Sequence, residues 1–214
     1  MNIFAYFMVL LLTVVEIQTR AAEDIIFFQN FDNLTEDKIP DEIIVVDGKF
    51  SVKSESNNKY IELERAPLDN FGILFGPEIK SNVSVTARFF SESTGKRLPS
   101  FCVGLYGISG IKLRVSPGRR AIEILNGDQI KSSAPFEWKD NRWIWLNLIV
   151  RKNRKNENSF LAEGVVWYDK DDKKYFVRCE FPELPPPGKA SVWGIPYSTK
   201  PIKIDDLKIT KISE

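Results

Sequence analysis

The strongest constraint on this chain is the alternation of its apolar residues. From Glu23 onward they recur with period two between turn signals, and no window carries the spacing of an amphipathic helix. Period two sends successive side chains to opposite faces of a strand. Val83, Val85, Ala87 and Phe89 alternate with Ser84, Thr86 and Arg88. Phe101, Val103 and Leu105 alternate with Cys102, Gly104 and Tyr106. Ile111, Leu113 and Val115 run to Pro117-Gly118, and residues 121–125 run to Asn126-Gly127. Asp47-Gly48 between the β-prone runs 43–46 and 49–52 predicts a hairpin, because Asp-Gly suits a tight turn with positive φ. A second turn at Asn57-Asn58 precedes the run 59–63. Further strands are predicted over 143–151, 160–168, 175–181, 191–193 and 202–212. About a dozen short strands without helical crossovers predict an all-β fold, two antiparallel sheets packed face to face.

The 214 residues fit one such domain plus a targeting segment. Residues 3–15 are almost wholly apolar and are followed by Glu16, Gln18 and Arg20. That run is too short to span a bilayer, so residues 1–21 are expected to be a signal peptide and residues 22–214 the sandwich domain. Thr19 and Ala21 supply the small residues that signal peptidase reads. The expected location is periplasmic or extracellular, with no membrane insertion once the signal is removed. In an oxidising compartment two cysteines, Cys102 and Cys179, permit one disulfide or remain two free thiols. Asn33-Leu34-Thr35 and Asn82-Val83-Ser84 match the glycosylation pattern.

Composition excludes several functions. A formal charge of +1 argues against a general nucleic-acid binder. The absence of His removes Ser-His-Asp triads, Cys-His pairs and His-based zinc sites. No phosphate-cradling glycine loop with a Lys is present, nor a dinucleotide fingerprint.

Several short stretches carry a resemblance by their order. They are Asn30-Phe31-Asp32, Gly48-Lys49-Phe50, Phe75-Gly76-Pro77, the Gly104, Gly107 and Gly110 series, Ala134-Pro135-Phe136 with Trp138, Gly164 with Trp167, and Asp205-Asp206-Leu207. Together the chain resembles the concanavalin A-like, laminin-G-like jelly-roll sandwiches, closest to secreted bacterial domains associated with sugar-processing, 3-keto-disaccharide hydrolase-like modules. The resemblance implies the fold but no single activity, since such sandwiches include lectins, hydrolases and scaffold modules. The Glu-x-Asp-x-x-Glu strand motif of sandwich hydrolases is absent.

Two sets of residues are candidates for function. On the strand from Trp143, Ile144, Leu146, Leu148 and Val150 should face the core. Trp143, Trp145 and Asn147 then face outward and, with Trp167, form either a sugar-stacking platform or ordinary packing under a loop. Trp138 and Trp193 lie beside turns and read as structural. In the last strand, Asp205 shares the parity of the core-facing Leu207 and Ile209, so its carboxylate needs a partner. That partner is backbone N–H groups, a Lys, or a structural Ca²⁺ shared with Asp32, an ion that sandwiches of the resembled type often hold. Three functions follow: a non-catalytic binding module for carbohydrate, a structural or protein-interaction domain of an extracytoplasmic assembly, or a glycoside hydrolase-like enzyme.

Overall fold

A computed structural model describes residues 24–66, 68–80, 82–197 and 199–212. The expected signal peptide lies outside the described residues. No helix among the described residues is long and apolar enough to cross a membrane.

The chain is built from β1 (Asp24–Gln29), β2 (Ile43–Asp47), β3 (Phe50–Glu55), β4 (Asn58–Leu63) and β5 (Phe71–Ile79). It continues through β6 (Val83–Phe90), β7 (Ser100–Leu105), β8 (Ile111–Ser116), β9 (Ala121–Asn126) and β10 (Gln129–Pro135). The last five strands are β11 (Ile144–Lys152), β12 (Phe160–Tyr168), β13 (Lys174–Phe181), β14 (Gly188–Ile195) and β15 (Ile202–Lys211). The first sheet has the order β13-β12-β11-β6-β15-β4-β3, with β1 also paired to β15. The second has the order β10-β9-β8-β7-β14-β5-β2. Every strand pairing is antiparallel. The two-sheet antiparallel sandwich expected from the alternation is therefore the fold.

The alternation also places the core. Val83, Val85, Ala87 and Phe89 of β6 and Phe101, Val103 and Leu105 of β7 are buried between the sheets. Phe89 and Phe101 stack across that gap with ring centroids 4.9 Å apart. Gly164 of β12 lets the sheets approach, since a Cβ there would stand 2.4 Å from Leu113 Cδ1.

Three local expectations need correction. Asp47-Gly48 does not close a hairpin: β2 pairs with β5 in the second sheet, whereas β3 pairs with β4 in the first. Only Gly48 has positive φ there (96°), so the turn lacks the paired left-handed residues of a type I′ hairpin and carries the chain from sheet to sheet. Ser56 and Asn57 do have positive φ, 50° and 66°, and they join β3 to β4. The permitted disulfide is not formed: Cys102 and Cys179 are free. Cys102 points to the outer side of the second sheet, opposite in parity to Phe101 and Val103, whereas Cys179 packs against the core from β13. Strands β5 and β10 were not expected, because Gly72, Gly76 and Pro77 interrupt the first and polar residues fill the second.

Candidate functional site

The outer face of the first sheet brings the predicted aromatic residues together. Trp145 on β11 is opposite Trp167 on β12 and Arg88 on β6. The indoles lie parallel, 3° apart in plane, with centroids 5.8 Å apart. Arg88 Cζ sits 5.7 Å from the Trp145 centroid, and Lys174 Nζ sits 5.6 Å from that of Trp167. The order is therefore cation, indole, indole, cation, with both indoles partly exposed. Trp145 Nε1–H is also committed, donating to Asp169 Oδ1 at 3.2 Å. Trp143 turns toward Phe90 and Tyr60 and takes the Arg88 guanidinium at 4.6 Å. Asn147 faces outward between Val165 and Thr86, but its buried Oδ1 has no hydrogen-bond partner.

Asp205 belongs to this same face, not to the core side. Ile202 and Ile204 point inward, and Asp205 follows them outward opposite Arg88. The register then slips at Asp206, whose φ is 52°, and Leu207 and Ile209 return to the core. The bulge reverses the parity on which the sequence expectation rested. At 1% exposure the Asp205 carboxylate is fully partnered. Its Oδ2 accepts from Arg88 at 2.6 Å and Asn58 Nδ2 at 3.0 Å, and its Oδ1 accepts the Asp206 N–H at 2.7 Å. Arg88 also pairs with Asp206 at 2.8 Å. Asp32 Oδ2 accepts from Asn30 at 2.7 Å. Among the described residues no group of three or more His, Cys, Asp or Glu side chains could hold a metal ion.

Desolvation pushes Asp205 up to about 6, with Asn58 and Arg88 pulling the other way. A carboxyl raised above its unfolded value binds its proton more tightly in the fold. Its contribution to stability is then complete below about pH 4 and is lost as pH rises through 6. Melting midpoints of wild type and Asp205→Asn, compared across pH 4 to 7, should show this contribution in the wild type alone. A difference that does not change with pH would remove Asp205 as its source.

A second arrangement lies on the outer face of the second sheet. Trp193 (β14), Cys102 (β7), Arg114 (β8) and Glu123 (β9) form one cross-strand row. Trp193 lies directly over Gly72 of β5, where a Cβ would stand 2.2 Å from its Cε3. Glycine there lets the indole lie flat against the sheet. Lys112, one step along β8, crosses above Gly104 and places Nζ 4.8 Å from the Trp193 centroid. The result is a cleft of ≈ 220 Å³ whose walls include Asn70, Cys102, Lys112, Arg114, Asp128 and Trp193.

The polar groups here are incompletely matched. Trp193 is 3% exposed, and its Nε1–H has no partner. Neighbouring Ser191, fully buried, has an unpartnered Oγ. Glu123, fully buried, is held by Arg114 at 2.8 Å and Arg119 at 2.8 Å. Burial pushes the Cys102 thiol up to about 11 against the pull of Lys112 and Arg114, so it stays protonated at neutral pH. Sequence reasoning treated Trp193 as structural and passed over its partners. The signal was in β8 and β9, where Lys112, Arg114 and Glu123 interrupt otherwise apolar strands; the structure buries Lys112 and Glu123 and half-buries Arg114.

No family model matches the chain. No curated protein matches it in sequence. Solved structures do match. The carbohydrate-binding module CBM66 from Bacillus subtilis superposes with a TM-score of 0.55 at 9% identity, over 79% of this chain and 96% of that one. The PL-14 alginate lyase of Aplysia kurodai gives 0.57 at 11% identity, over 76% and 87%. The exoplasmic/lumenal domain of VIP36, in its Ca²⁺- and mannose-bound form, gives 0.54 at 8% identity, over 81% and 84%. The chain thus shares the two-sheet jelly-roll sandwich fold of these proteins, and at these identities the likeness concerns the fold.

Proposed function

We propose that this chain is an exported, non-catalytic carbohydrate-binding module whose ligand occupies the cleft of the second sheet. The observation that carries the proposal is the set of unmatched donors in this cleft: buried Lys112 has no carboxylate partner among the described residues, Trp193 Nε1–H has no acceptor, and Arg114 keeps N–H groups beyond those on Glu123. A few placed donors and acceptors orient a sugar, and here they stand beside a Trp193 ring that lies between the sheet and Lys112. Sugar-binding and sugar-cleaving proteins among the structural neighbours support this choice. Asp128 is the one carboxylate among the described residues that line the cleft, whereas glycoside hydrolysis ordinarily needs two. That favours binding over the hydrolase alternative, the keto-disaccharide type included. The apolar run 3–15 supports export.

Trp193→Phe should weaken glycan binding by about tenfold, since it removes a donor and part of the ring. Trp145→Ala should leave binding within about twofold, because the ladder on the other sheet already covers its ring faces. Glycan-array binding followed by titration calorimetry checks both. The reverse order of effects would move the site to the first sheet.

A protein-interaction function is favoured by one separate observation. Among the described residues, edge strand β2 pairs only with β5 and exposes Ile44 and Val46 at 49% and 37%. An unpaired apolar edge suits an added extended strand from another chain. Capture of such a segment, without any glycan binding, would favour this alternative.

A further inference from the structure

We infer that the cleft selects a sugar carrying an anionic substituent, a carboxylate or a sulfate ester, seated at Lys112; this rests on the carbohydrate-binding function proposed above. Lys112 is 7% exposed, a degree of burial that Lys almost never shows unless paired. Among the described residues no carboxylate lies within ion-pair distance of its Nζ, which instead stands over the Trp193 ring. The surroundings add to the positive charge. Glu123 is shared by Arg114 and Arg119, which leaves one positive charge over, and Lys112 adds another. Exposed Asp128 at the rim is the one acid lining the cleft to set against them. The whole chain carries only +1, so this is a local concentration of charge.

The donors match an anionic oxygen set. Arg114 uses Nε and one terminal nitrogen on Glu123 and retains further N–H groups, since a guanidinium carries five. Trp193 Nε1–H is a donor without an acceptor. An anion held between an ammonium and neighbouring N–H groups makes charge-assisted bonds, stronger than those of a neutral hydroxyl. The ≈ 220 Å³ volume falls below the range of about 300–1,000 Å³ usual for drug-sized ligands, which fits one sugar unit in the cleft and the rest of a chain outside it.

The test compares oligogalacturonate and oligomannuronate, sulfated galactan oligosaccharides, and carboxyl-reduced or desulfated versions of each. Wild type should bind at least one charged set about tenfold or more tighter than its neutral version. That preference should shrink severalfold between about 0.05 and 0.5 M salt. Which charged set binds distinguishes carboxylate from sulfate. Lys112→Met keeps the apolar stem over Trp193 and should abolish the preference. Equal binding of charged and neutral oligosaccharides by wild type overturns the anion selectivity but leaves the carbohydrate function standing. Undiminished preference in a folded Lys112→Met protein also overturns the inference. Binding of no oligosaccharide in either class overturns both. If the variant does not fold, the wild-type preference and its salt dependence decide the question alone.

Discussion

Replacing Arg88 by methionine is expected to destabilise the domain by about 3–5 kcal/mol at pH 7. Asp205 is 1% exposed, and Arg88 is its only cationic partner at ion-pair distance among the described residues. Methionine fills much of the volume but leaves a desolvated carboxylate with only Asn58 and one backbone N–H. The same change removes the guanidinium from Trp143 and Trp145 and leaves Asp206 without its partner. Asp205 can escape the penalty by taking a proton, and without Arg88 its affinity for that proton rises further above the present value of about 6. The loss should therefore diminish as pH is lowered from 7 toward 4.5. Urea unfolding of both proteins at the two pH values measures it. A cost under about 1 kcal/mol at pH 7 would place Arg88 with ordinary surface ion pairs.

Phe89→Ala should cost a similar amount, about 3–5 kcal/mol, for a different reason. Phe89 is fully buried on the central strand β6 and stacks on Phe101 of the facing sheet. Two sheets whose strands are each fixed by hydrogen-bonded ladders cannot easily close over the space left by one ring, so a cavity persists. This loss should be indifferent to pH, unlike that of Arg88→Met. Equilibrium unfolding at pH 4.5 and 7 separates the two. A cost under about 1 kcal/mol would mean that the inter-sheet space collapses around the deletion.

The strands were legible because their inner faces are continuous apolar series. The facing of β11 was read residue by residue, with Ile144, Leu146, Leu148 and Val150 inside and Trp145 and Asn147 outside. Strict alternation fails where the register slips, and Asp205 was assigned to the wrong side because the slip at Asp206 leaves no mark in hydropathy. Trp145 and Trp167 do come together, but the sequence contains no sign that Lys174 and Arg88 cap the pair from β13 and β6. The charged residues of β8 and β9 stand out in the sequence, but their convergence on one cleft does not, for a similar reason. Trp193 meets Lys112 across the sheet from a strand some eighty residues earlier, and it lies flat only because of Gly72, on a strand the alternation did not reveal.

Strand β15 is made after the other fourteen strands, yet it occupies an interior place in the first sheet, between β6 on one side and β4 with β1 on the other. Before β15 is made, that sheet consists of β13-β12-β11-β6, of β4-β3 and of an unpaired β1. Completion of the sheet must therefore await translation of residues 202–211, and a chain lacking them would present the bare edges of β6, β4 and β1 to any chaperone that meets it.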